Sequence, residues 1–362
     1  MHIGFVSGLS DHKLAQKLAP LQAMSEVGRI SLFRRQPFSG EKVVWQAMPE
    51  FIGHQRFIGD PWRMAQLLYR GKECDLLVGC HQRFHGVMTA IAGKILNIPT
   101  AQLIITEFDL MWGHPAFRWA IRQAVLVGVR GQKARDRCLS SLASNPPATF
   151  IPHNLFNPQT TAAPEPALGR EFDIIYIGSF TFDKNIPLLV RVLAGIKRQK
   201  GSLRACIIGQ GPEKEHFKTL LAEQGLLDDV TLLGNQPHAD LGKYYAKAKL
   251  FLLTSRFEGF PMVVPEAMGW GTPVVTTDVG DLADLVINGK NGFLVENGDC
   301  DRLIDSCMQI ITSPKLAQTM SDSARLSHSD FVAACSLESI VAIWRKAFSE
   351  LASRQNSKAL PE

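Results

Sequence analysis

The chain has 362 residues, of which 46% are hydrophobic and 20% charged, and a formal net charge of +5. This length suffices for two domains with a core each, and the composition excludes an extensively disordered protein. The sequence has no run of about 18 apolar residues, and its start, MHIGFVSGLSDHK, lacks a basic segment followed by a long apolar one. We therefore expect neither a membrane span nor a signal peptide.

The positive charge is concentrated in the first half of the chain. Residues 1–150 contain 18 Lys/Arg and 10 Asp/Glu, whereas the remaining residues contain 21 and 24. Basic residues alternate with apolar and aromatic ones in PWRMAQLLYRGK (61–72) and FRWAIRQAVLVGVRG (117–131). This alternation favours an anionic membrane surface over nucleic acid as a partner, and a solvated charged face is the alternative. Seven scattered cysteines without a C-x-x-C pair favour a reducing cytoplasm, so the membrane surface would be the inner face.

Strands and helices alternate along residues 1–155, which predicts a parallel sheet with helices on both faces. Ser10 or Asp11 caps a predicted helix over 12–24, and further helices are predicted over 86–96 and from Gln132. The predicted strands are apolar runs at 2–7, 29–35, 43–48, 75–80, 99–105, 124–129 and 149–154.

Residues 156–171, FNPQTTAAPEPALGRE, break the pattern and predict an interdomain linker. A second doubly wound domain is predicted over 172–336. Its strands are predicted at 172–179, 203–208, 230–234, 250–254, 272–277 and 292–296, and its helices at 186–198, from the glycine turn at 209–211, at 238–248 and at 262–270. A last segment, 337–362, is predicted to be a helix that crosses back to the first domain, with a disordered tail. The two sheets should face a shared cleft, where such folds bind ligands.

Two carboxylates, Glu258 and Glu266, lie eight positions apart after the strand at 250–254. Pro265 is tolerated only in the first turn of a helix, so the helix is predicted to begin near Met262. The free amides of a first turn form an anion site, and flanking carboxylates suit hydroxyl-rich groups. A sugar nucleotide is a ligand with a phosphate and hydroxyl-rich groups of this kind. A solvated loop charge and a helix-dipole partner are the alternative roles of the two glutamates.

The motifs YIGS, DKN and IIGQGP are followed by LLGNQPHADLGKYYAKAKLFLLTSRFEGFPMVVPEAMGWGTPVVTTDVG and NGFLV. In this order, over most of residues 172–296, they resemble the donor-binding half of glycosyltransferase family 4, the retaining enzymes of GT-B fold. The resemblance implies an α/β chain with two Rossmann-like domains, an acceptor-binding one (1–155) and a donor-binding one (172–336). It implies transfer of a sugar from a nucleoside diphosphate sugar to a glycolipid, polysaccharide precursor or small molecule. No cofactor and no metal are expected.

The resemblance also implies roles for individual residues. Glu258 matches the first glutamate of the E-x7-E motif, which faces the donor sugar, and Glu266 matches the second, which holds the ribose hydroxyls. Lys184 matches a lysine that contacts the diphosphate. Ser179 stands where the family usually has an arginine, so one expected cation is missing. The further donor-side residues are Gly178, Gly209, Gly211, Asn235, Gly259, Phe260, Pro261, Met262 and Val263.

In the first domain, the resemblance implies a histidine that touches the donor sugar or the acceptor, and His81 is expected to be this residue and to complete the catalytic set with Glu258 and Lys184. The further acceptor-side residues are Gly8, His85, Glu107 and Asp109. The alternative interpretation of His81 and His85 is an ordinary surface histidine. The alternative for Glu107 and Asp109 is a loop that only leads into a helix. A nucleotide-sugar epimerase and a non-catalytic sugar-nucleotide or glycan-binding protein are the alternative functions.

Overall fold

The computed structural model describes residues 1–49, 56–80, 82–105, 112–142, 147–151, 155–156 and 169–358. They form two compact units. The first comprises Met1–Phe156 and Ala334–Glu362, and the second comprises Asn157–Ala333. Most of the predicted linker (157–168) and the end of the predicted tail (359–362) lie outside the described residues.

The first unit is built on a parallel sheet of seven strands in the order β3-β2-β1-β4-β5-β6-β7. Apart from the edge strand β3, its strands are short apolar runs that are buried over most of their length, as expected for a sheet covered on both faces. They are β1 (His2–Ser7), β2 (Arg29–Phe33), β3 (Val43–Trp45), β4 (Leu76–Cys80), β5 (Thr100–Leu103), β6 (Leu126–Gly128) and β7 (Ala148–Phe150). The helices between them are α1 (Asp11–Ala23), α2 (Arg56–Arg70), α3 (Gln82–Leu96), α4 (Pro115–Gln123) and α5 (Gln132–Ser141).

The second unit is a parallel sheet of six strands in the order β10-β9-β8-β11-β12-β13. The strands are β8 (Phe172–Ile177), β9 (Ala205–Ile208), β10 (Val230–Gly234), β11 (Ala248–Leu253), β12 (Val274–Thr277) and β13 (Gly292–Val295). The helices are α6 (Ile186–Lys200), α7 (Lys214–Glu223), α8 (Leu241–Ala246), α9 (Val263–Gly269), α10 (Cys300–Thr312) and α11 (Pro314–Ala334).

The last helix, α12 (Leu337–Lys358), belongs to the first unit. Its Trp344 is 2% exposed and packs on Phe150 of β7 with a ring-centroid distance of 4.6 Å. An exposed ion pair joins Arg345 of α12 to Glu26, with Nε 2.7 Å from Oε1. The helix therefore completes the core beside β7 and α1.

The two predicted doubly wound parallel sheets are confirmed, and the strands lie within the predicted runs to a few residues. Helix α3 begins four residues before the predicted start at 86. Helices α2, α4, α10 and α11 are additional to the predicted ones. All seven cysteines are buried and free of disulfides.

Within the described residues, no single helix combines the length and the apolar composition needed to cross a membrane. One bent pair, Pro314–Ala334 with Leu337–Ser353, meets those two criteria jointly.

A buried carboxylate of β8, Asp173, links the end of α6, the residue before β9 and strand β11. The Asp173 side chain is 1% exposed and accepts hydrogen bonds from Lys200 Nζ (3.1 Å), Lys249 Nζ (2.8 Å) and the Arg204 amide (3.1 Å). Burial opposes ionisation of Asp173, but the hydrogen bonds from the two lysines outweigh it, so the pKa of Asp173 is lowered.

We expect Asp173→Asn to lower the free energy of unfolding by about 2 kcal/mol at neutral pH, because it leaves two ammonium groups without their carboxylate. A lowered native pKa stabilises the fold at neutral pH, and this stabilisation is lost as the pH falls through that pKa. The difference between variant and wild type should therefore shrink in acid, as measured by urea unfolding. Glu171→Gln, which removes a half-exposed pair with Lys247 (3.2 Å), is the control and should have an effect below about 0.5 kcal/mol.

Candidate functional site

The predicted donor-side residues lie at one edge of the second sheet. Strands β8, β9, β10 and β11 are parallel, so the loops that follow them all start at the carboxyl edge. Gly178 and Ser179 follow β8, Gly209 and Gly211 follow β9, and Asn235 follows β10. The loop after β11 carries Glu258 and leads into α9.

The centre of this edge is an ion pair between Lys184 and Glu258. Lys184 Nζ donates to Glu258 Oε1, and Ser255 Oγ donates to the same oxygen at 2.8 Å. The two charged side chains are only 17% and 12% exposed. Asp183 is a second carboxylate near the ammonium group, with Oδ2 3.6 Å from Nζ. Glu258 Oε2 accepts no hydrogen bond from the described residues, so it is the oxygen that a ligand hydroxyl can reach.

Backbone contacts fix the position of Lys184. The residue ends a one-turn helix (Phe182–Lys184), and Asn185 after it has a left-handed conformation, with φ 54°, which asparagine tolerates. Thr254 Oγ1 donates to the Lys184 carbonyl at 3.2 Å, and the Arg256 amide donates to the Asp183 carbonyl at 2.7 Å. The loop after β11 is thereby attached directly to the turn that carries the lysine.

The glycine turn after β9 packs against the loop after β8. A Cβ atom on Gly209 would lie 1.9 Å from the Gly178 carbonyl oxygen, and one on Gly211 would lie 2.3 Å from the Phe180 carbonyl oxygen. Only glycine allows this approach, so both residues have a structural reason to be there. Ser179 is held in the same loop, since its carbonyl accepts from Tyr176 OH at 3.3 Å.

Glu266 is the fourth residue of α9, which begins one residue after the predicted start. Its Oε1 lies 3.0 Å from His238 Nε2, and its Oε2 accepts from Tyr245 OH at 3.3 Å. The carboxylate is 18% exposed. Burial, together with the charge of Glu266, raises the pKa of Tyr245 well above its usual value, so the hydroxyl remains protonated and donates. Both oxygens of Glu266 are thus oriented by side chains of the segment after β10.

Three residues of this arrangement are not among the predicted ones: Ser255, His238 and Tyr245. Ser255 is fully buried, and its carbonyl accepts from Thr277 Oγ1 at 2.7 Å, which fixes the loop to β12. His238 and Tyr245 meet Glu266 from 28 and 21 positions away. In the sequence, the only indication of these contacts is that His238 and Tyr245 lie in a predicted helical segment after a strand.

Ser179 supplies no charge, and Arg256 is a cation attached to the same turn as Lys184. The Arg256 guanidinium carbon lies 4.6 Å from the centre of the Phe182 ring. Its Nε is buried and has no hydrogen-bond partner among the described residues. The pair of basic groups near this turn is therefore Lys184 and Arg256.

In the first unit, Gly8 and His85 lie together. A Cβ atom on Gly8 would lie 2.6 Å from His85 Cε1, so the imidazole covers the backbone after β1. The Ser7 and Cys80 ends of β1 and β4 are paired in the sheet, which brings the loop after β1 beside α3. His81, Glu107 and Asp109 lie outside the described residues.

A buried lysine lies near the same edge of the first sheet. Lys17 of α1 is 7% exposed, and burial followed by the charge of Arg130 lowers its pKa to about 7. Cys80, the last residue of β4, is among its electrostatic neighbours. Lys17 can therefore change its charge near neutral pH, a property that its place in an amphipathic helix does not predict.

Comparison with known proteins shows which proteins the second unit resembles in sequence. Residues 159–327 match the model of glycosyl transferases group 1. An uncharacterized glycosyltransferase of Haemophilus influenzae is 28% identical over 173 residues, which are 48% of this chain and 47% of that protein. The alpha-D-kanosaminyltransferase of Streptomyces kanamyceticus is 23% identical over 231 residues, 61% of this chain and 59% of that one.

The fold is similar to that of solved structures over nearly the whole chain. HepE of Anabaena in complex with UDP has a TM-score of 0.74 and 21% identity, over 97% of this chain and 100% of that one. By contrast, the chain spans about half the length of the curated relatives it matches. The fold is GT-B, and residues 159–327 are similar to glycosyl transferases group 1.

Proposed function

We propose that the protein is a retaining glycosyltransferase that moves a sugar from a nucleoside diphosphate sugar to a sugar or lipid-linked acceptor. The observation that carries the proposal is the Lys184–Glu258 pair at the carboxyl edge of the second sheet. The loop that carries Glu258 leads into α9, and Glu266 is the fourth residue of that helix. This loop lies within the residues that match glycosyl transferases group 1. A reducing cytoplasm is the proposed location, which suits seven cysteines that form no disulfide.

Each of the three side chains has a proposed role. Lys184 is a point charge that stabilises the leaving diphosphate. Glu258 accepts hydrogen bonds from the sugar hydroxyls through Oε2, since Oε1 is engaged by Lys184 and Ser255. Glu266, oriented by His238 and Tyr245, accepts from the ribose hydroxyls. The leaving diphosphate takes the proton of the acceptor hydroxyl as the new glycosidic bond forms on the same face of the sugar.

Arg256 is the residue that we propose as the second cation, in place of the arginine missing at Ser179. Its guanidinium lies over the ring of Phe182, two residues before Lys184, which places a second cation at the turn that carries the lysine. UDP is one candidate donor nucleotide, because the structurally similar HepE has been crystallised with UDP-glucose.

We propose that transfer needs no metal, with the two basic side chains neutralising the diphosphate. In the ranges that the structure describes, no group of three or more His, Cys, Asp or Glu side chains is arranged to hold a metal ion. Because the proposal assigns the neutralising role to the two basic side chains, activity should persist in the presence of a chelator such as EDTA.

The proposal is tested by incubating the protein with UDP-, GDP- and ADP-sugars, with and without a mixture of simple glycoside acceptors and with and without EDTA. We expect release of one nucleoside diphosphate, and a product whose anomeric configuration, read by NMR, is that of the donor. An inverted product would overturn the retaining mechanism. An isomerised donor would indicate an epimerase, and bound but unchanged donor would indicate a binding protein.

Tyr245→Phe should weaken donor binding about three- to tenfold, because it removes one hydrogen bond to Glu266 without changing the packing. The affinity is measured by calorimetry with the nucleotide sugar found above. Tyr244→Phe is the matched control, since the neighbouring hydroxyl donates to Gln236 and not to Glu266. Equal effects of the two substitutions would contradict the role of Tyr245.

A further inference from the structure

Helices α2 and α3 of the first unit expose large apolar side chains. Six of these side chains, which we call the α2–α3 face, are between 37% and 63% exposed: Ile58, Trp62 and Tyr69 on α2, and Phe84, Ile91 and Ile95 on α3. Single exposed apolar residues need no explanation, but six on two neighbouring helices form a patch that usually marks an interaction site.

The spacing of these residues places each set of three on one stripe of its helix. Steps of four and seven residues separate Ile58, Trp62 and Tyr69, and steps of seven and four separate the residues on α3. The opposite stripes of both helices are buried in one core cluster, through Leu67 of α2 and Met88 of α3. The two helices are neighbours, with the Arg63 guanidinium 6.0 Å from the centre of the Phe84 ring.

Basic residues outnumber acidic ones around the α2–α3 face, where Arg70 lies 3.9 Å from Glu73 and Arg63 pairs with Asp60 at 2.6 Å. Helices α2, α3 and α4, which pack side by side, contain seven Lys/Arg and a single Asp, a net charge of +6. Basic groups lie directly at an exposed ring: Arg70 Cζ is 5.2 Å and Lys72 Nζ 5.0 Å from the centre of Tyr69. Apolar side chains bordered by cations match the chemistry of an anionic lipid interface.

We propose that the α2–α3 face binds the surface of an anionic lipid bilayer. The isoleucines and aromatic rings enter the interfacial region, and the basic side chains contact lipid phosphates. Nucleic acid fits less well, because three of the six exposed side chains are isoleucines, which have no ring on which a base can stack. A second copy of the chain would bring two strongly basic surfaces together. The proposal is independent of the transfer reaction.

The experiment measures sedimentation of the whole chain with vesicles of phosphatidylcholine alone and of phosphatidylcholine with phosphatidylglycerol, at low and high salt. No sugar nucleotide is added, so the result does not depend on the proposed enzymatic function. We expect binding to the anionic vesicles only, and a marked decrease at high salt.

Two double variants separate the apolar from the charged contribution. Trp62→Ser with Ile95→Ser removes apolar contacts, and Arg70→Glu with Lys72→Glu reverses charge. Each should weaken vesicle binding at least about tenfold. The matched controls are Ile287→Ser with Leu326→Ser and Lys290→Glu with Lys315→Glu, exposed residues of the second unit that should leave binding unchanged. All substituted residues of the four double variants are exposed, and melting temperatures verify that each variant is folded.

The proposal is overturned by three results: no binding of the wild type to anionic vesicles, equal loss in the controls, or binding to a single-stranded oligonucleotide that is lost in the same variants while vesicle binding is not.

Discussion

Replacing Lys184 with alanine is expected to reduce sugar transfer at least about a hundredfold, because the departing diphosphate then lacks its main cation. Glu258→Gln should cause a similar loss. The amide keeps the hydrogen bond from Ser255 but removes the charge that orients Lys184. The measurement is the rate of nucleoside diphosphate release, with melting temperatures recorded for each variant.

Lys197→Ala is the control for these two substitutions. Its ammonium group also pairs with a carboxylate, Asp229 at 2.6 Å, but on α6 away from the loop after β11. The activity of Lys197→Ala should remain within about twofold of the wild type, because a partly exposed ion pair contributes little to stability. Full activity in Lys184→Ala, or in Glu258→Gln, would contradict the roles assigned to that residue.

Gly280→Ala is expected to reduce transfer about a hundredfold through a displaced loop. The residue has φ +56°, and a Cβ atom would lie 2.3 Å from the Gly259 carbonyl oxygen and 2.7 Å from that of Glu258. A left-handed alanine costs roughly 1–2 kcal/mol, and the two close contacts require the backbone at Glu258 to shift. Displacement of a catalytic group by about 1 Å can lower a rate about a hundredfold.

Gly289→Ala separates the cost of a left-handed alanine from the displacement of the loop at Glu258. Gly289 is also left-handed, with φ +74°, but nothing lies within 4 Å of its Cβ position. This variant should show a similar conformational loss of stability with unchanged transfer. If Gly280→Ala retains activity, or if both variants lose it equally, the loop at Glu258 does not depend on Gly280 as the structure indicates.

The sequence predicts the architecture because buried parallel strands are continuous apolar runs that need little tertiary information. Pro265 predicts the start of α9 to within one residue, since proline fits only a first turn. Helix α10 is additional, although its buried residues Leu303, Cys307 and Ile310 recur at helical spacing.

The site is predictable only in part. The Lys184–Glu258 contact joins residues 74 positions apart, and only the order of motifs connects them in advance. His238 and Tyr245 reach Glu266 through the packing of α8 and the turn before it, which no local pattern specifies. The exposure of the α2–α3 face likewise cannot be predicted without the fold. Both helices carry apolar residues on two stripes, and only the packing shows which stripe is buried.

The most direct test of a donor site in the second unit is a thermal-shift measurement with UDP-, GDP- and ADP-sugars on the wild type, Lys184→Ala and Glu266→Ala. One nucleotide class should stabilise the wild type, by about 2.7 kcal/mol at a concentration 100 times its dissociation constant. The shift should be much smaller in both variants. No shift with any nucleotide sugar at millimolar concentration, or the same shift in all three proteins, would contradict the proposed donor site.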